Sequence, residues 1–182
     1  MAGFKAGIGS RYLGTMTRWA RGLALGVAVM AATPAAWGEE LNLLVNGWSR
    51  HISPPAGTNY NERNWGAGLQ YDFNRVEEHW VPFLTASGFK DSERNMSYYA
   101  GGGAMRRFDV APTLDNLHFD VGIVAFLMTR KTFKNNNPFL GALPVASIGT
   151  DRFAVNITYV PKVHPKLIPV WFFQLKIPLA KY

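Results

Sequence analysis

The sequence predicts an all-β fold, an eight-stranded antiparallel up-and-down transmembrane β-barrel, and three observations predict it. Turn-forming punctuation falls at short, even intervals after residue 38. The segments between are each near the roughly 9–11 residues that a tilted membrane-spanning strand needs. Long connections alternate with a shorter set, as in a barrel with long outer loops and short inner turns. A soluble sandwich accounts for the strand count but not for that rhythm. Beyond residue 38 no segment reaches the roughly 18 uncharged apolar residues of a spanning helix.

The first strand is expected at 41–52, ended by Ser53-Pro54-Pro55-Ala56-Gly57, and the second at 64–74, ended by Asn74-Arg75-Val76-Glu77. The third, 79–89, stops at Lys90-Asp91-Ser92, and the fourth, 97–108, at the polar run from Asp109 to Asn116. The fifth, 117–128, precedes Lys134-Asn135-Asn136-Asn137-Pro138, and the sixth, 139–149, meets the tightest turn, Thr150-Asp151-Arg152. The seventh, 153–160, ends at Pro161 to Pro165, and the eighth, 169–178, alternates well from Trp171 to Leu179. The long set of connections is 53–63, 90–96, 129–138 and 161–168. The connection 109–116 is of middling length and breaks the rhythm.

Residues 1–38 read as a secretory signal peptide. Lys5, Arg11, Arg18 and Arg21 precede an apolar stretch from Gly22 to Ala32, and Ala36-Trp37-Gly38 places small residues where a signal peptidase reads. The apolar stretch is short and closely followed by Pro34, which argues against a spanning helix. Residues 39–182 are then a single barrel domain, with localisation in the outer membrane after export.

Charge and composition exclude several functions. The leader holds four of the 19 basic residues and none of the 12 acidic ones, so the formal +7 falls to +3 for the barrel domain. With no Lys/Arg run and no aromatic-basic interleaving, nucleic acid is not expected as a partner. The chain has no cysteine, which removes disulfides and thiolate metal sites. His51, His79, His118 and His164 show no ligand spacing, so neither a metal nor another cofactor is expected.

Two segments are apolar on both faces: Val121 to Met128, and Phe139 to Ala146. One face of each must meet lipid, so the other makes part of the interior greasy. Gly101, Gly102, Gly103, Gly122 and Gly141 leave space there. An internal pocket for an acyl chain and an interior simply filled by side chains both fit this pattern. Pro144 and Pro161 fall at or inside strand ends, where they remove ladder donors. A closed barrel has no free edge, so the two prolines mark either a local gap between the sixth and seventh strands, through which a lipid tail passes sideways, or ordinary strand ends.

In an up-and-down meander the first and third strands end at the same rim, which brings His51 together with Asp91 and Ser92. A histidine, a carboxylate and a hydroxyl are what acyl transfer needs. His51 can take a proton from an attacking hydroxyl, either that of Ser92 or that of an acceptor lipid, while Asp91 can orient the imidazole or stabilise its cationic form.

The segments Tyr60-Asn61-Glu62-Arg63-Asn64-Trp65-Gly66, Phe89-Lys90-Asp91-Ser92, Ala100-Gly101-Gly102-Gly103, Leu143-Pro144-Val145-Ala146-Ser147-Ile148-Gly149 and Thr158-Tyr159-Val160-Pro161 occur in an order and spacing that resembles the outer-membrane lipid A palmitoyltransferases. The resemblance runs from Trp48 to Pro161. It implies transfer of an acyl chain, typically palmitoyl, from a glycerophospholipid donor to lipid A or lipopolysaccharide, by a monomer in the outer membrane. It also implies that His51, Asp91 and Ser92 are catalytic, that Gly103 is the floor of the acyl pocket, that Pro144 and Pro161 give lateral access, and that Arg130 holds a lipid phosphate. The family histidine directly follows a tryptophan, whereas Ser49-Arg50 separates Trp48 from His51 here, a two-residue shift that keeps the strand face. Asn64 stands where the family has one of the prolines of a second lateral gap. No counterpart of the family's leading amphipathic helix is expected between Glu39 and the first strand.

Two other readings remain open from sequence. One is a non-catalytic barrel of the same descent that serves membrane integrity or binds lipid. The other is a lipid A deacylase, in which the same groups activate water.

Overall fold

The computed structural model describes residues 40–162 and 168–182. The predicted leader lies outside the described residues. Eight antiparallel strands close into a barrel in chain order: β1 (Glu40–His51), β2 (Gly66–Asp72), β3 (Trp80–Lys90), β4 (Met96–Ala111), β5 (Leu117–Thr129), β6 (Phe139–Gly149), β7 (Ala154–Val160) and β8 (Val170–Lys181). Closure comes from β1, which pairs with β2 on one side and β8 on the other.

The alternation of side chains explains why this chain closes in a membrane. Along β5, Val121, Ile123 and Leu127 point outward and are exposed, while Val124 is buried and Phe126 half-buried. Leu140 on β6 is 81% exposed, which is costly in water and favourable against lipid. Trp48, Trp65, Tyr98 and Trp171 are exposed near the rim that carries His51. Trp80, Phe108, Phe119 and Phe153 are exposed near the other. These are the two aromatic girdles of a membrane barrel.

The interior is divided. On the β3–β6 side Phe83, Met105, Val124 and Val145 form a buried apolar cluster against which Phe126 and Leu143 pack. Across from it, towards the rim that carries His51, Asn46 bonds the Ser87 hydroxyl, and Gln174 bonds both Asn46 and the Tyr99 hydroxyl. At the opposite end Lys176 pairs with Asp72 at 2.9 Å and Arg107 holds Asp120 with two bonds of 2.9 and 2.8 Å. Asn42 and Gln70 also donate to the Asp72 carboxylate, so these buried charges are paired and hydrogen-bonded.

Three strands depart from expectation by more than one residue at an end, and one of them, β8, runs on to Lys181, past the expected 178. β2 covers only 66–72 of the expected 64–74, although Asn64 N donates to Gly47 O at 3.2 Å and Trp65 O accepts from Lys90 N at 2.9 Å from the loop before it. β4 is longer than 97–108, and the register slips between Asp109 and Ala111 as it ends, where an extra residue disturbs the ladder.

The β6–β7 ladder runs only from Gly149↔Ala154 to Val145↔Thr158. Beyond it, Pro144 back to Phe139 pair with β5 alone, and Tyr159 and Val160 pair with β8 alone. Pairing therefore stops next to Pro144, and Pro161 directly follows the end of β7.

Candidate active site

The barrel brings the ends of β1 and β3 to one rim, and the predicted residues meet there. His51, the last residue of β1, is 6% exposed, and its Nε2 lies 2.9 Å from Ser92 Oγ. The Tyr60 ring stacks on the imidazole, with centroids 4.6 Å apart and planes at 17°. That contact fixes the ring plane so that Nε2 faces Ser92.

Asp91 is buried but does not touch His51. Its Oδ1 accepts the backbone N–H groups of Glu93 and Asn95, both at 2.9 Å, and its Oδ2 accepts the Ser97 hydroxyl at 3.0 Å. Arg130 Nε lies 3.5 Å from the same Oδ2, and Arg130 Nη2 lies 3.5 Å from Glu93 Oε1. The carboxylate expected to orient the imidazole is instead the organiser of the tight turn that presents Ser92. Its oxygens are taken by that turn, by Ser97 and by Arg130. The Arg130 guanidinium is correspondingly drawn onto the turn.

The carboxylate beside the imidazole is Glu62, to which sequence reasoning gave no role. Glu62 Oε1 accepts the His51 backbone N–H at 3.1 Å and lies 3.5 Å from His51 Nδ1. Arg50 Nη1 lies 3.4 Å from Glu62 Oε2, and Ser49 N donates to Glu62 O at 2.9 Å. The His51 backbone N–H bond holds the Glu62 carboxyl below the usual glutamate range, and Arg50 adds to that effect. The loop 52–65 that carries Glu62 is itself fastened to the Ser92 turn: Asn61 N donates to Ser92 O at 2.8 Å, and Asn61 Nδ2 to Asp91 O at 3.0 Å. Glu62 lies inside the segment Tyr60 to Gly66 that carried the resemblance, which was the one available signal.

Gly103 sits on β4 between Phe83 of β3 and Val124 of β5. A Cβ there would overlap the Ile123 carbonyl oxygen and fall 2.9 Å from Phe83 Cζ. The Phe83 ring thus already occupies the interior beside this glycine. Asn64 is buried at the wall, where its side-chain Nδ2 donates to Lys90 O at 2.9 Å in addition to its backbone bond to Gly47. Among the described residues, no cluster of histidine and acidic side chains has the geometry of a metal site.

The fold and this rim define a class: an eight-stranded membrane barrel with an imidazole–hydroxyl couple at one mouth and an interrupted ladder in its wall. The family model for the antimicrobial peptide resistance and lipid A acylation protein PagP matches residues 38–175, and the chain belongs to that family. A protein of Methylobacillus flagellatus named lipid A acyltransferase PagP is 31% identical over 102 residues, covering 56% of this chain and 53% of its own length. The protein of that name from Legionella longbeachae is 33% identical over 102 residues, covering 56% and 42%. The lipid A palmitoyltransferase PagP of Escherichia coli strain K12 is 34% identical over 105 residues, covering 56% and 53%. The chain spans about half the length of the curated relatives it matches. The solved backbone structure of the Yersinia pestis outer membrane protein Ail superposes with a TM-score of 0.42 at 10% identity, covering 78% of this chain and 99% of that one, too slight a likeness to add to the strand register.

Proposed function

We propose that this protein is an outer-membrane acyltransferase that moves a palmitoyl-like chain from a glycerophospholipid to lipid A, acting as a monomer after export by a cleaved signal peptide. The observation that carries the reading is the 2.9 Å contact between His51 Nε2 and Ser92 Oγ at the mouth of a barrel whose wall is interrupted beside Pro144. Membership in a lipid A acylation family supports it.

In this reading His51 Nε2 takes the Ser92 proton as Oγ bonds to the ester carbonyl carbon of the donor. The ester C–O bond breaks, and the leaving lysophospholipid oxygen receives that proton from the imidazolium. In the second half a lipid A hydroxyl gives its proton to His51 and attacks the acyl-serine. Ser92 leaves as the alkoxide and is reprotonated from His51. Asp91 shapes the turn that aims Ser92, and Arg130, beside it at the rim, is the candidate for a lipid phosphate.

The donor tail enters where Pro144 and Pro161 interrupt β6–β7 and lies along the apolar β3–β6 side, ending near Gly103, with the Phe83 ring as the surface it meets. Mass spectrometry of lipid A from cells with and without the protein tests the function. A gain of one acyl chain supports it, a loss selects a deacylase, and no change leaves a non-catalytic barrel.

A further inference from the structure

We propose that Glu62, reaching in from the loop 52–65, is the positioning residue for His51, so that the working unit is a Glu62–His51–Ser92 relay in which Asp91 does not contact the imidazole. The proposal rests on the reading of His51 as the base. It follows from how the two imidazole nitrogens are placed. Nε2 faces Ser92 Oγ at 2.9 Å, so a general base needs its lone pair there and its proton on Nδ1. Nδ1 is buried and makes no hydrogen bond among the described residues, and Glu62 Oε1 lies 3.5 Å from it, an oxygen already anchored by the His51 backbone N–H at 3.1 Å. A carboxylate at Nδ1 selects the Nδ1–H tautomer and stabilises the imidazolium that forms as Ser92 loses its proton.

The surroundings favour Glu62 in that role over any other group. Arg50, on the same strand as His51, holds the other Glu62 oxygen at 3.4 Å. Arg130, from the end of β5, is a second cation near the site and is engaged by Asp91 and Glu93. Tyr60, from the same loop as Glu62, stacks on the ring. The Asp91 oxygens are bound by Ser97, by the backbone of Glu93 and Asn95, and by Arg130. The couple is therefore assembled by a loop, and its geometry depends on that loop staying bonded to the Ser92 turn through Asn61.

The test uses the full barrel in detergent micelles with the variants Glu62→Gln and Glu62→Asp. Glutamine keeps an acceptor for the His51 backbone N–H but has no charge, so a purely structural role survives it. The relay predicts that Glu62→Gln lowers kcat by about 100-fold or more with KM little changed. It also predicts that the acid limb of the kcat profile moves to lower pH and that Glu62→Asp restores part of the rate. Parent-like kcat and an unmoved acid limb in a folded Glu62→Gln variant would overturn the proposal. Nitrogen NMR of His51 in the parent protein decides the matter separately. A neutral imidazole with its proton on Nδ1 supports the relay even if the parent transfers no acyl chain, and a proton on Nε2 overturns it even if the parent is active.

Discussion

Val145 and Thr158 form the outermost pair of the ladder between β6 and β7. Next to them stands Pro144, and the strands then run on towards the rim without pairing to each other. A cysteine pair replacing Leu143 and Val160, the next but one pair in register, should close this opening. The chain holds no cysteine to interfere. Acyl transfer is expected to be lost on oxidation and to return on reduction, with heat-dependent gel mobility unchanged. Equal activity in both states would place the lipid route elsewhere.

Asn64 seals the wall on the other side. Proline at this position would lack the N–H that meets Gly47 O and the amide that meets Lys90 O. Asn64→Pro should therefore destabilise the barrel by about 1–3 kcal/mol for each carbonyl left without a partner. The measurement is the urea midpoint of unfolding in micelles. A midpoint equal to the parent's would mean that neither bond contributes.

The docking of the 52–65 loop should resist mild acid. Glu62 is held below the usual glutamate range, so the stability it contributes is fully present above that range. It is lost only as pH falls through the lowered value. The His51 and Ser49 amides, which donate to Glu62, should keep their hydrogen-exchange protection at pH values where an ordinary glutamate has begun to protonate. Protection that fades within the ordinary range would contradict this.

Chain-length selectivity should respond to Phe83 more than to Gly103. Any side chain at Gly103 overlaps the Ile123 carbonyl oxygen, so Gly103→Met is expected to disturb the β4–β5 pairing. Phe83→Leu instead clears space beside the glycine. At about 0.8 kcal/mol per buried methylene, room for one or two more should move preference between donor chains by roughly 4- to 15-fold towards the longer. Competition among phospholipids of different chain length reads this. Unchanged selectivity in an active Phe83→Leu variant would remove Phe83 from the floor.

Much of the barrel was legible in the sequence because strand length and punctuation are local. β6 runs over the expected 139–149, ended by Thr150 and Asp151. The meeting of His51 with Ser92 followed from topology alone, since alternate strands of a meander end at one rim. The partner of the imidazole did not follow, because Glu62 arrives from a loop whose path has no periodicity and is set by individual bonds such as Asn61 N to Ser92 O. Nor did the commitment of Asp91 to its own turn follow, since a carboxylate before a serine reads alike whether it faces a histidine or the backbone of the next residues. The interior near Gly103 misleads for a related reason: a glycine signals missing bulk at its own position and says nothing of the Phe83 ring that a neighbouring strand places there.

In the proposed function His51 and Ser92 together transfer an acyl chain. Purified protein in micelles, given a phospholipid with a labelled acyl chain and lipid A, tests it most directly when the parent is compared with Ser92→Ala and His51→Ala, each checked for a folded barrel by gel mobility. The parent should yield labelled lipid A, and each variant should lose about 100-fold or more of that transfer. Transfer at the parent rate by both folded variants would contradict that function.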